Sequence, residues 1–212
     1  MPKDFSPLVS AFLAENAKIN LSAIRDEKGI FEKHIFDALE AADFLKSAKK
    51  ILDIGAGGGF PTFPLAITFP EKHFFPLDAT AKKIAAISRI SQKIKLKNVF
   101  PIAGRAEILA REKDFREHFD AAISRAAAPH AAIVELAAGF LKIGGIFGEF
   151  RGPHFSKNDE KIGEKVGLFF REKKEYFLPS GESRAIWIFE KREKCPKTFP
   201  RKWAEIKKKP LF

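Results

Sequence analysis

The chain is poor in sulfur and in hydroxylated aromatic residues. Of its 212 residues only one is Cys, one is Met and one is Tyr, whereas Phe occurs 23 times. Cys195 therefore has no partner for an internal disulfide, and a cluster of thiolate metal ligands is excluded. This cysteine usage is typical of proteins kept in a reducing compartment, so we expect a cytoplasmic protein.

Long apolar runs are also missing. The most apolar stretch, residues 126–147, is interrupted by His130, Glu135 and Lys142, so the sequence predicts no transmembrane span. The N-terminal Met-Pro-Lys-Asp lacks the apolar region of a signal peptide. Hydrophobic residues still make up 45% of the chain, which is enough for a sizeable core.

Acidic residues are outnumbered, with 27 Asp and Glu against 38 Lys and Arg, so the formal net charge is +11. Such a charge favours a polyanionic partner such as nucleic acid, although basic surfaces can also serve solubility alone. Residues 191–209 carry nine basic residues against two acids. We therefore expect RNA contacts from the cations of this tail, which are Arg201, Lys202, Lys207, Lys208 and Lys209.

Apolar residues follow helical spacing in the first 48 residues, and strand and helix patterns alternate after them. Strands are predicted at residues 50–54, 73–77, 99–102, 120–124, 146–150, 175–178 and 185–189, and helices at 63–69, 81–96, 131–141 and 159–170. The alternation indicates an α/β protein with a mostly parallel seven-stranded sheet, helices on both faces and an antiparallel hairpin at one edge. We expect a helical appendage (1–48), a sheet domain (49–190) and a basic tail (191–212).

Four glycines within five residues follow the first strand, in Asp-Ile-Gly-Ala-Gly-Gly-Gly at 53–59. The turn fails the dinucleotide fingerprint, because Phe60 or Thr62 stands where its last glycine should be. The pattern instead matches acid-x-Gly-x-Gly-x-Gly, the first motif of class I (Rossmann-like) methyltransferases, which bind S-adenosylmethionine. A carboxylate at Asp53 suits a cationic amino-acid ligand better than a pyrophosphate. A bare strand-to-helix connection remains the alternative.

Asp78 ends the second strand, 19 residues after Gly59. An acid at this spacing can accept hydrogen bonds from both ribose hydroxyls of a nucleoside. The alternative is an N-cap for the helix that begins near Ala81. Ends of later strands, at 104–107 and 120–126, are the places where an adenine and a substrate are expected.

Taken together, these motifs resemble the small-subunit ribosomal RNA methyltransferase G family, formerly named glucose-inhibited division protein B. The resemblance covers nearly the whole chain, and the junction Gly-Phe-Pro and the strand end Ser-Arg-Ala are its most specific parts. The matching stretches are Ile-Asn-Leu-Ser (19–22), Lys-His-Ile-Phe-Asp (33–37), Leu-Asp-Ile-Gly-Ala-Gly-Gly-Gly-Phe-Pro (52–61), Leu-Asp (77–78), Ile-Ser-Arg-Ala (123–126), Gly-Glu-Ser-Arg (181–184), Phe-Pro-Arg-Lys (199–202) and Lys-Lys-Lys-Pro-Leu (207–211).

The resemblance implies methyl transfer from S-adenosylmethionine to N7 of a guanine in the decoding region of 16S rRNA. The family's cofactor positions fall on Gly55, Phe60, Ala106, Glu107 and Arg125, and its ribose-side acid falls on Asp78. With the motif residues Asp53, Gly57 and Gly59, these are the predicted cofactor contacts. The candidate substrate or RNA contacts are His34, Arg151, Arg184 and the tail cations. Departures from the family pattern include Thr62 for a glycine, Arg151 for a lysine, Ala38 for a serine and Glu15 for a tryptophan.

Because guanine N7 has a lone pair and no proton, we predict no nucleophile, no acid/base pair and no metal. Arg125 is the predicted catalytic residue, bonding either guanine O6 or the methionine carboxylate; a surface ion pair is the plainer reading. His34 could equally be a core residue. Trp203 and Phe199 could stack on unpaired bases or pack on the sheet. We expect a monomer, and the rival hypotheses are a methyltransferase for a small molecule or protein and a non-catalytic RNA-binding module.

Overall fold

The computed structural model describes residues 3–154 and 156–211. Its helices are α1 (Ser6–Ile19), α2 (Glu27–Ile30), a π-helical turn (Phe31–Phe36), α3 (Asp37–Leu39), α4 (Thr62–Thr68), α5 (Ala81–Lys93), α6 (Ala106–Leu109), α7 (His130–Phe140), α8 (Lys157–Lys161), a 3₁₀ turn (Glu164–Val166) and α9 (Trp203–Lys208). Its strands are β1 (Lys50–Ile54), β2 (His73–Asp78), β3 (Ile102–Ala103), β4 (Phe119–Arg125), β5 (Leu141–Arg151), β6 (Leu168–Phe177) and β7 (Ser183–Lys191).

The described strands form one seven-stranded sheet in the order β3-β2-β1-β4-β5-β7-β6. The first five strands run parallel, whereas β7 pairs antiparallel with both β5 and β6. The predicted mixed sheet with an antiparallel edge pair is confirmed. The strand order reverses beside β1, so the carboxyl ends of β1, β2 and β4 open one crevice, where ligands bind in such sheets.

Both faces of the sheet are covered. One buried cluster joins the N-terminal helices to the sheet, with Phe12 and Ile35 packed among β1 and α4 residues such as Ile51 and Phe63. The other cluster packs α7 on the opposite face and includes Ile206 and further residues of the C-terminal segment. The N- and C-terminal segments therefore each contribute buried residues to one of the two hydrophobic clusters that cover the sheet. No helix in the described part of the chain is long and apolar enough to span a membrane.

The predicted helix at 159–170 is wrong over most of its length. Only Lys157–Lys161 is α-helical, and a strand begins at Leu168. Gly167 ends the intervening 3₁₀ turn with φ of +77°, a left-handed conformation that stops a helix. β6 is ten residues long rather than four. The first part of β6 was not predicted as a strand because its charged stretch, Arg-Glu-Lys-Lys-Glu, lacks an apolar pattern. Charged side chains are nevertheless common on an edge strand.

Candidate cofactor and substrate site

The glycine turn after β1 lies at the centre of the crevice. Gly55, Gly57 and Gly59 all have positive φ, at +75°, +56° and +93°. A Cβ at Gly55 would lie 2.3 Å from the Ala127 Cβ, and one at Gly59 would lie 2.2 Å from the Phe63 ring. A Cβ at Gly57 would meet nothing closer than a carbonyl oxygen at 3.9 Å. Two of these glycines thus permit close packing, while Gly57 keeps open space over the turn.

The end of β2 holds this turn in place. The Asp78 carboxylate accepts hydrogen bonds from the backbone N–H of Gly57 (3.1 Å) and of Thr80 (2.7 Å). The N-cap position of α5 is Thr80, so Asp78 lies before the helix rather than at its cap. Each carboxylate oxygen has further lone pairs, and Asp78 also lines the crevice. Its position suits an acceptor for ribose hydroxyls.

Asp53 lies in β1, two residues before the first glycine of the turn. It is 1% exposed, and its Oδ2 accepts a hydrogen bond from the Thr62 hydroxyl at 2.7 Å. Its Oδ1 has no hydrogen-bond partner within the described residues. Burial raises the pKa of this carboxyl to about 6, although the Thr62 hydrogen bond lowers it. A buried acceptor without a partner can accept a hydrogen bond from a cationic group or a water that reaches it.

Two adjoining cavities occupy the crevice. The larger has a volume of about 590 Å³ and the smaller about 270 Å³. They share Gly55, Asp78, Lys83 and Ala127 as walls. This combined size is that of a small-molecule cofactor site. The open space over Gly57 and the acid at Asp78 together fit S-adenosylmethionine, which is a nucleoside with a cationic amino-acid arm, whereas Asp53 lines neither cavity.

The smaller cavity is lined by apolar and polar residues from five segments. Ala106 and Glu107 lie in its wall, as the sequence predicts. Glu107 accepts a hydrogen bond from the Arg105 Nε at 2.6 Å, which fixes its orientation. Ile133 and Leu136 of α7 supply the apolar floor, and Trp203 of α9 completes the wall. Sequence reasoning missed Trp203 as a residue of this wall.

Arg125, the last residue of β4, forms hydrogen bonds with residues of the N-terminal helices. Its Nη1 donates to Asp37 Oδ2 at 2.9 Å and to the Lys33 carbonyl at 3.1 Å, and its Nη2 contacts His34 Nδ1 at 2.9 Å. The side chain is only 18% exposed, but it lines the larger cavity. Asp37 is held from its other side by the Tyr176 hydroxyl, at 2.5 Å. Sequence reasoning missed Asp37 and Tyr176 as members of the site.

His34 is a neutral member of this network. His34 Nδ1 lies 2.9 Å from the Arg125 guanidinium, which can only donate, and 3.1 Å from the Lys33 carbonyl, which can only accept. Because the Arg125 contact is shorter and involves a charged donor, we assign Nδ1 as the acceptor and place the ring proton on Nε2. Nε2 then donates to the Ser22 hydroxyl at 2.9 Å. Burial, with the Arg125 charge, lowers the pKa of His34 to about 3. The ring stacks on Phe60 at 4.7 Å, so both residues form part of the cavity wall.

Arg151 and Arg184 line the outer part of the larger cavity. Arg151 donates to Glu149 at 3.0 Å and lies over the Trp187 ring at 4.8 Å, so its guanidinium is well positioned. Arg184 pairs with Glu182, which also pairs with Lys33. The predicted substrate cations from two distant segments therefore meet at one rim.

The tail residues divide into two groups. The Arg201 guanidinium pairs with Glu135, whose side chain is fully buried, so this geometry does not support the expected phosphate contact. Lys202, Lys207, Lys208 and Lys209 are exposed. None of these lysines lines either cavity. Among the described residues, no cluster of His, Cys, Asp or Glu has the arrangement of a metal site.

The sheet order and the crevice over the glycine turn define a class I S-adenosylmethionine-dependent methyltransferase. Among solved structures, the chain is similar to an O-methyltransferase from Bacillus cereus in complex with S-adenosylhomocysteine, with a TM-score of 0.62 and 19% identity over 90% of this chain and 93% of that one. At that identity the likeness shows the fold.

Sequence comparison identifies the family. The sequence model for rRNA small subunit methyltransferase G matches residues 2–186. A relative named ribosomal RNA small subunit methyltransferase G from Streptococcus pyogenes serotype M1 is 35% identical, covering 99% of this chain and 91% of the relative. One of the same name from Deinococcus deserti is 33% identical over the same shares. The chain belongs to the rRNA small subunit methyltransferase G family.

Proposed function

We propose that this protein methylates N7 of a guanine in the decoding region of 16S rRNA. The observation that carries the proposal is the larger cavity, which begins over Gly57 and opens at a rim of cations from separate segments. These cations are Lys33, Arg125, Arg151 and Arg184. A basic rim around a cofactor crevice suits a substrate that is part of a polyanion. The relatives' names supply the substrate class.

The cofactor supplies a methyl group on a sulfonium, which is a strong leaving group. Guanine N7 carries a lone pair and no proton, so this chain does not need a general base. Consistent with this role, His34 is neutral and engaged on both ring nitrogens. The protein's contribution is orientation of the two reactants, which can be worth about 7–11 kcal/mol of barrier.

Cofactor contacts in this proposal follow the crevice. Asp78 accepts the ribose hydroxyls, Ala106 and Glu107 flank the adenine, and the backbone of Gly55 and Gly57 lies close to the ligand. Gly59 lines neither cavity and serves the turn by allowing it to pack against Phe63. Asp53 lines neither cavity, so in this proposal its orphaned oxygen acts on the amino group through a water. Phe60 forms the floor beneath the methionine arm.

Substrate contacts come from the rim. Arg125, fixed by Asp37 and the Lys33 carbonyl, lies between the cofactor turn and the opening. Arg151 and Arg184 are more exposed and are suited to phosphates or to guanine O6. The exposed lysines of the tail, Lys202 and Lys207 to Lys209, would add phosphate contacts that strengthen binding without specificity.

The direct test uses 16S rRNA from a strain that lacks the gene for this protein. The purified protein and S-adenosylmethionine are added, and N7-methylguanine is detected by borohydride and aniline cleavage. We expect one new cleavage site. If the protein sample binds its cofactor but no cleavage site appears, 16S rRNA is refuted as the substrate. Gly57→Val should remove the signal, whereas Gly144→Ala, a change remote from both cavities, should keep it.

We also propose that the protein acts as a monomer in the cytoplasm. The exposed large apolar side chains, such as Phe177 and Ile143, lie on different strands. Sedimentation equilibrium at micromolar concentration should give the mass of one chain, 23.8 kDa. A mass of twice that value would refute the monomer.

A further inference from the structure

The C-terminal segment is held against the rest of the protein by hydrogen bonds from two arginine side chains to its backbone carbonyls. Arg111 Nη1 donates to the Pro200 carbonyl at 2.6 Å, and Arg116 donates to the carbonyls of Phe199 (2.9 Å) and Cys195 (2.7 Å). These arginines follow α6, so they connect the segment to the adenine side of the crevice. The basic tail is thus fixed by cations that bind its carbonyls.

A buried acid fixes the next residue. Glu135 of α7 has no exposed surface, and its carboxylate accepts from both the backbone N–H (2.7 Å) and the guanidinium Nε (3.0 Å) of Arg201. Gly139, one turn further along α7, gives the segment room, because a Cβ there would lie 2.9 Å from the Pro200 ring. The start of α9 is therefore set with respect to α7.

Helix α9 presents different faces to the protein and to solvent. Trp203 and Ile206, three residues apart, face inward: Ile206 is 1% exposed, and Trp203 packs against the same core cluster. Glu205, Lys207 and Lys208 are exposed. The indole of Trp203 reaches the smaller cavity, where it lies in one wall with Ala106, Glu107 and Leu136.

We propose that Trp203 is an adenine-positioning residue, and that the C-terminal segment completes the nucleoside end of the cofactor site. An indole is flat and apolar, and it can cover a purine by stacking or edge contact. The segment between Cys195 and Arg201 then serves to hold Trp203 at this wall. The inference rests on the proposed cofactor site, and it assigns Trp203 to the cofactor base instead of an RNA base.

Equilibrium binding of S-adenosylhomocysteine and of adenosine tests the proposal. Trp203→Ala should weaken both ligands by the same factor, about 5- to 150-fold, the loss typical of truncating an aromatic side chain beside a base. Trp203→Phe should recover most of the affinity. The matched control is Glu205→Gln on the exposed face of α9, and it should bind as the unmodified protein does.

Two further measurements separate positioning from folding. With rRNA as substrate, Trp203→Ala should raise the KM for S-adenosylmethionine while kcat at saturation stays close to that of the unmodified protein. Intrinsic fluorescence should change when S-adenosylhomocysteine binds, and Trp203→Phe should lose this change, because the other tryptophan, Trp187, is 2% exposed and lines neither cavity.

The outcomes distinguish the two proposals. If the unmodified protein does not bind S-adenosylhomocysteine, the proposed function fails. If it binds and folded Trp203→Ala binds equally well, only the role of Trp203 is refuted. If Trp203→Ala binds S-adenosylhomocysteine with unchanged affinity but binds rRNA more weakly, Trp203 contacts RNA instead of the cofactor.

Discussion

Replacing Gly57 by alanine isolates the space that the glycine turn leaves for the cofactor. The residue has φ of +56°, and an added Cβ would meet only the Gly55 carbonyl oxygen, at 3.9 Å. The methyl group therefore projects into open space without a clash. The left-handed conformation costs about 1–2 kcal/mol for an L-residue, and a less flexible unfolded chain offsets about 0.4–1 kcal/mol. We expect a net loss of stability near 1 kcal/mol.

The effect on binding should be larger than the effect on folding. A methyl group forced into a closely packed contact typically costs about 1–3 kcal/mol, which corresponds to roughly 5- to 150-fold weaker binding. Gly57→Val, with two more carbons, should abolish binding. Isothermal titration with S-adenosylhomocysteine measures the affinity, and thermal unfolding measures the stability of the same sample.

Gly144→Ala is the matched control. Gly144 has φ of +83° and nothing within 4 Å of an added Cβ, so it carries the same backbone strain. It lines neither of the two cavities of the crevice. Both variants should lose similar stability, and only Gly57→Ala should lose affinity. Equal affinities for the two variants would refute the assignment of the open space over Gly57 to the cofactor.

Three more predictions follow from charged groups. Burial raises the pKa of Asp53 from 3.8 to about 6, so this carboxyl costs stability progressively as pH rises from about 4 to 6, and the cost is constant above 6. The melting temperature of Asp53→Asn relative to the unmodified protein should therefore increase from pH 4 to pH 6 and then level off; a constant difference over this range would contradict this. The same variant should bind S-adenosylhomocysteine more weakly at pH 8, with little pH dependence between 5 and 8. His34 should stay neutral at pH 5 with its proton on Nε2, as read from ¹⁵N chemical shifts. Titration near its usual pKa of 6.5 would refute the lowered pKa, and a proton on Nδ1 would refute the tautomer assignment. Replacing Lys207, Lys208 and Lys209 by Gln should reduce the salt dependence of rRNA affinity by up to about 2 in the log–log slope, whereas an unchanged slope would exclude these lysines as phosphate contacts.

The central parallel strands β1, β2 and β4 were predictable because each is a short apolar run bounded by turn residues, whereas β5 begins five residues before its predicted start. β1 agrees with the prediction at both ends, and β2 and β4 differ by one residue at one or both ends. The bounds of the two edge strands, β3 and β6, were predicted less well. β3 is reduced to Ile102–Ala103, and β6 extends over a charged stretch that resembles a surface helix. An edge strand has solvent on one side, so its sequence carries less of the apolar pattern.

Local sequence determined the centre of the site. The glycines at 55, 57 and 59 adopt positive φ where the motif requires it, and Asp78 reaches the turn from the next strand, because adjacent parallel strands end at the same edge. These features depend on backbone dihedrals and on pairing between neighbouring strands. A pattern of a few residues encodes both.

Only the tertiary structure decided which distant side chains complete the site. Arg125 meets Asp37 across 88 residues, and Arg201 meets Glu135 across 66. The first contact joins the N-terminal helices to the cavity, and the second turns a residue expected on the RNA surface into an anchor near Trp203. Such contacts arise from how helices pack on the two faces of the sheet, and no short pattern in the sequence specifies that packing. The sequence therefore determined the turn that receives the cofactor, and the packing of the chain ends determined what surrounds it.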